Sequence, residues 1–133
     1  MKRSLVKLFL LKSLKLTIGL SFFSVVLTPI YANPELKEKQ KLFKLEKEYK
    51  ISKNLYTQKP GQIHFKKNYL ATTLSLADAV MTSTVLLPKI KYPQALRFYR
   101  EVLRLAPENK SAKNNKDLIE GIYRSMGRPI PKG

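Results

Sequence analysis

From residue 33 onward, apolar positions recur at three- and four-residue spacing, and no stretch alternates with the period of a strand. Asn33-Pro34-Glu35 has the makings of a helix start, with Asn as N-cap, Pro in the first turn and an acid beside the positive end of the helix dipole. The helix continues through LKEKQKLFKLEKEYKIS, where Leu42, Leu45 and Tyr49 fall on one face with Phe43 beside it. That stripe is too narrow to hold a lone helix in water, so the segment 33–58 must dock on something. Lys59-Pro60-Gly61 predicts a turn. A second helix is expected from Ile63 to Leu87, ended by Pro88. Its second half (YLATTLSLADAVMTSTVLL) carries only Asp78 as a charge. An acid at mid-segment would be costly in a bilayer, so this helix reads as one buried on most sides within a small bundle.

Tyr92-Pro93 is read as the opening of a third helix. Ala95, Phe98, Tyr99, Val102 and Leu103 form its inner face, Arg97, Arg100 and Arg104 its outer one, and Ala106-Pro107-Glu108-Asn109 stops it. A fourth helix is expected from Ser111 to Met126, with Leu118, Ile119, Ile122 and Tyr123 apolar. Gly127 is placed as its C′ residue and 128–133 as an extended tail. The fold class is therefore all-α, a small bundle of about four helices in antiparallel pairs. The helical module spans 62–127.

Residues 1–32 follow a different pattern. Lys2, Arg3, Lys7, Lys12 and Lys15 come with no acid, Leu16 to Ile30 is uncharged, and Pro29 and Ala32 close the segment. A basic start, an apolar stretch and a small exit residue are the layout of a secretory signal peptide, with cleavage expected after Ala32. The alternative is an uncleaved inner-membrane anchor over residues 8–31, with Leu8 to Leu14 lengthening the apolar stretch. Loss of five bases on cleavage would take the net charge from +17 to +12, and all nine acids would remain. An exported chain without cysteine has neither disulfides nor a lipid-bearing thiol. Its basic excess points to acidic proteins or anionic envelope surfaces; no nucleic acid is expected.

The run YPQALRFYREVLRLAPEN, Tyr92 to Asn109, resembles the second helix of a tetratricopeptide repeat. Tyr92, Ala95, Tyr99, Val102, Leu103, Leu105 and Pro107 carry the resemblance. The small alanine permits close helix approach, the aromatic fills the gap to the neighbouring helix, and the proline stops the helix. Upstream, Ser83 supplies the expected small residue, while Ala79 and Thr82 replace a large aromatic and a leucine. Downstream, Ala112 and Asn115 fit the start of another repeat, and Asp117 departs from it. The resemblance covers about one repeat and a closing helix, Leu76 to Gly127, and implies a protein-binding scaffold. The face that binds ligands in such repeats would present Ala77, Val80, Thr84 and Leu87. Leu42, Phe43, Leu45 and Tyr49 of the first helix are expected to cover it, with homodimerisation through the same surface as the rival. Val80 and Thr84 stand where cationic or amide residues would grip a peptide carboxylate, so that kind of clamp is not implied.

No catalytic constellation, metal site or cofactor site emerges. Every nucleophile–histidine arrangement would depend on His64, and zinc sites of the usual His/Cys kind lack their ligands. Asp78 is read as a structural acid bonded to Ser75, Thr82 or a lysine. Arg97, Arg100 and Arg104, with Lys89 and Lys91, are the candidate charged partner surface. The expected function is an exported, non-enzymatic adaptor whose unidentified protein partner is acidic. The alternative is a basic protein whose lysine-rich helix, Asn33 to Lys53, lies on anionic lipid.

Overall fold

In a computed structural model, which describes residues 33–132, Asn33 opens the first helix as its sequence suggests. Its side-chain oxygen accepts the Glu35 N–H at 3.0 Å, and Pro34 occupies the first turn. The elements are α1 (Pro34–Gln58), α2 (Ile63–Thr82), α3 (Pro88–Leu105) and α4 (Lys110–Ser125), with no strand among the described residues. The segment read as a signal peptide, with Ala32, lies outside the described residues. None of the described helices is long and apolar enough to cross a membrane.

Consecutive helices pack in order, α1 on α2, α2 on α3 and α3 on α4. The core is one cluster. It holds Tyr49 of α1, Tyr69, Leu76, Ala77 and Val80 of α2, Ala95, Leu96, Phe98, Tyr99 and Val102 of α3, and Ala112 and Ile119 of α4. Leu42 and Leu45 pack against its edge. Phe43, expected beside them, is 71% exposed. One residue is a rotation of about 100°, which carries it off the narrow inner stripe.

Two helix boundaries differ from the expected ones, and both turn on a proline. α2 stops at Thr82, five residues before Leu87, and Pro88 starts α3 instead of ending α2. A proline tolerates the first turn of a helix and forces the residue before it into extended backbone, so it suits a start as well as a stop. Leu87 has that backbone, at φ −63° and ψ 145°. Pro93, read as the opener, lies inside α3, one turn further on.

The short connection 83–87 is held by side chains. Ser83 Oγ accepts the backbone N–H groups of Val85 and Leu86, at 3.2 and 3.1 Å. Glu38 of α1 accepts Ser83 Oγ–H at 2.6 Å and the Thr84 N–H at 2.8 Å, and also takes the Thr84 hydroxyl. The Ser83 hydroxyl, with those of Thr84, holds the Glu38 carboxyl at about 2, down from 4.5. A carboxyl depressed by folding contributes stability that is full above its unfolded value and is lost as pH falls through the folded one. We therefore expect Glu38→Gln to lower the thermal midpoint at neutral pH, and its difference from the parent to close between pH 4.5 and 2. Melting curves of both proteins over that range check it.

α4 ends as Gly127 predicts. Gly127 has φ +62°, its N–H donates to Arg124 O at 3.0 Å, and the Arg128 N–H donates to Tyr123 O at 3.0 Å, a Schellman pair. The tail that follows is extended but not loose. Ile130 packs against the core, and Arg100 Nη1 donates to Pro131 O at 2.7 Å.

Candidate functional site

α2 and α3 bring two polar clusters together, and the first centres on Glu101. In the sequence it interrupts the arginine row and looks like part of a solvated face; in the fold it is buried. Tyr49 Oη donates to its oxygens at 3.0 and 3.1 Å, Lys53 Nζ donates at 2.9 Å, and Tyr69 Oη donates as well. Burial, and then the Glu101 charge working against Lys53, pushes the Tyr49 phenol up, so it stays a donor at neutral pH. The hydrogen bonds to Tyr49 and Glu101 raise Lys53. One carboxylate thus ties α1, α2 and α3. An open recess beside it is lined by Lys53, Tyr56, Tyr69, Arg104 and Leu105.

The second cluster is built on Asp78, as a structural acid, but with other partners than expected. Its Oδ1 accepts Tyr99 Oη–H at 2.6 Å and Asn115 Nδ2–H at 3.2 Å; Thr82 reaches only the Asp78 backbone oxygen. Ser75 and the lysines are not among its partners. Asn115 also donates to Tyr99 Oη at 3.0 Å, which joins α2, α3 and α4. Burial and then Asp78 raise the Tyr99 phenol, which keeps it protonated and donating.

Of the residues that carry the repeat resemblance, Ala95, Tyr99 and Val102 are fully enclosed, while Tyr92, Leu103 and Leu105 pack at the core edge. Pro107 is exposed in the turn between α3 and α4. Leu96, just as enclosed as Ala95, was not on the predicted inner face. Ala77 and Val80 are buried, and Leu42 of α1 shares a recess with Val80, Leu76, Leu86 and Phe98. Thr84 and Leu87 fall outside the helix and are exposed.

The candidate charged surface divides. Arg97 lies over the Phe98 ring at 4.6 Å, and Arg104 is exposed at the Glu101 recess. Arg100 turns inward to Glu120 at 3.0 Å and to the tail. Lys91 Nζ donates to Ser83 O at 2.8 Å. Lys89 stands at a groove that sequence periodicity did not reveal. Leu87, Pro88 and Tyr92 from the start of α3 face Ile122, Tyr123 and Met126 from the end of α4 across an apolar groove of about 440 Å³. Lys89 and Arg128 are its cations. Leu87 and Met126 are each at least half exposed there. The groove exists because Pro88 starts α3 early and Gly127 turns the chain away after α4, so no other described element lies over the two helix ends.

Most carboxylates are used internally. Among the described residues, Glu108 alone of the acids has no hydrogen-bond or ion-pair partner within the chain. The surface is left with unbalanced lysine and arginine. His64 is exposed with its ring 4.1 Å from that of Phe65, and no group of three or more metal-ligating side chains occurs among the described residues. Compared with protein families, with curated proteins and with solved structures, the chain matches none.

Proposed function

We propose that this chain is an exported adaptor without chemistry of its own, in which a tetratricopeptide-like helical module holds an acidic protein. The groove between the start of α3 and the end of α4 carries the reading. An apolar trough with two cations fits a segment that inserts apolar side chains and places carboxylates at the rim. Apolar burial would supply the affinity, and the surplus positive charge would speed and orient the encounter. Such a partner finds few competing acids on the chain itself, because those acids are already occupied.

Photo-crosslinking in the cells that make the protein tests this. A crosslinker in place of Met126 should give one discrete adduct, lost when Leu87→Asp is added and weakened by raised salt. The same crosslinker in place of Leu118, an exposed apolar residue of α4 outside the groove, should give none. Equal adducts from both positions, or none from Met126, would sink the reading.

A further inference from the structure

The outward face of α1 carries a second surface, independent of the groove. Leu36 and Ile51 are each 52% exposed and Phe43 is 71% exposed, on a helix whose opposite face already packs against α2. Leu36 and Phe43, seven residues apart, lie within about 20° of each other around the axis, and Ile51 within about 80° of Phe43. Lys44, Lys47 and Lys50 stand among them. Lys44 and Lys50 pair with Glu48 and Glu46, but at largely exposed positions where such pairs contribute little and exchange readily.

We infer that this face docks the protein on an anionic lipid surface. The three apolar side chains are strung about 10–12 Å apart along a convex helix, with lysines between them. They form no enclosed patch that a folded protein would fill, whereas a bilayer interface is planar and takes each one separately. The lysine stems can lie along the apolar side chains while the ammonium groups reach lipid phosphates. A polysaccharide or a nucleic acid would satisfy the lysines and leave Phe43, Leu36 and Ile51 in water. Lipid satisfies both. The module would then be held at the membrane by α1 while its α3–α4 groove stays open.

The absence of cysteine makes the test direct. Phe43→Cys and Leu118→Cys, made in the full chain, are labelled with an environment-sensitive dye; both sites are exposed, so neither label disturbs the core. They are mixed with vesicles of one part phosphatidylglycerol to three of phosphatidylcholine. Emission at position 43 should shift to the blue and be quenched by spin-labelled lipid. Both effects should fall several-fold in roughly 0.5 M salt, where screening reaches only a few Å, and be absent on phosphatidylcholine alone. Position 118 should not respond. A position 43 that stays in water while the protein floats with vesicles overturns the inference, since another segment then makes the contact. A shift that needs no anionic lipid, or that follows protein concentration without vesicles, overturns it too. None of these results depends on the groove or its partner.

Discussion

Replacing Glu101 with alanine should cost about 3 kcal/mol of stability, a large share of the total for a domain this size. The side chain is 6% exposed and serves donors from two other helices, Tyr49 and Lys53 of α1 and Tyr69 of α2. Without it, two tyrosine hydroxyls lose their carboxylate, and each unsatisfied buried donor costs about 1–3 kcal/mol. The adjoining recess can admit water to Tyr69, which puts it near about 1 kcal/mol, whereas the Tyr49 hydroxyl still accepts from Lys53 Nζ at 2.9 Å but has no acceptor for its own proton, at about 2 kcal/mol. Lys53, about half exposed, replaces its lost carboxylate with solvent and adds little to the cost. Glu101→Gln keeps one acceptor oxygen and the shape, so it should lose about half as much. Combining Glu101→Ala with Tyr49→Phe should cost less than the sum, because the second change removes a group the first left unpaired. Urea unfolding of the parent, Glu101→Ala, Glu101→Gln, Tyr49→Phe and the double variant measures this. A Glu101→Ala protein as stable as the parent would mean the cluster holds nothing together.

That cluster also shows where sequence reading stops. Pattern and cap chemistry locate what is local: Asn33-Pro34 at one end, Gly127 at the other, the stripe from Ala95 to Val102, and four helices. Each rests on interactions within a turn or two. Glu101 is different, because its donors lie 32 to 52 residues away, and in the sequence it is one more charge on a charged helix. The same holds for Asp78. Its isolation in an apolar segment marked it as structural, but Tyr99 and Asn115 become its partners only through the packing of α3 and α4 on α2. In the sequence Asn115 and Tyr99 fit repeat-like packing, and nothing local to either marks it for a hydrogen bond.

The prolines failed for another reason. Pro88 and Pro93 each permit a start or a break, and the choice between them was made by Ser83 and Glu38. These two side chains satisfy the amides released when α2 ends early, and Glu38 comes from another helix. With α2 read through to Leu87, the groove under Leu87 and Tyr92 had no place in the predicted fold. The exposed Phe43 follows from geometry that was available, a 100° offset from Leu42, but it carries meaning only once the inner face is known to be filled.

The attachment of α4 is the second point where a single residue should have a large effect. Only Ala112 and Ile119 of α4 are buried, and among the described helices α3 is the one with which it makes an extensive contact. Ile119, 0% exposed, is the largest fully buried side chain of α4, with Tyr123 packed only at the core edge and Ala112 having little to lose. Ile119→Ala removes three carbons from a close-packed site and leaves a cavity, at a cost of about 3 kcal/mol. The loss should not be spread evenly. Helices α1 to α3 keep their shared core and the Glu101 cluster, whereas α4 keeps Ala112, the Asn115 bonds and the Arg100–Glu120 pair. Amide exchange should therefore speed up across 110–125 well before it does in α2 or α3. Ile122, Tyr123 and Met126, which form one wall of the groove, would move with α4. The crosslink from Met126 should weaken in Ile119→Ala even at temperatures where the rest of the bundle stays folded, while lipid docking through α1 stays unchanged. Uniform loss of protection over all four helices would show instead that the bundle unfolds as one unit, with α4 integral to it.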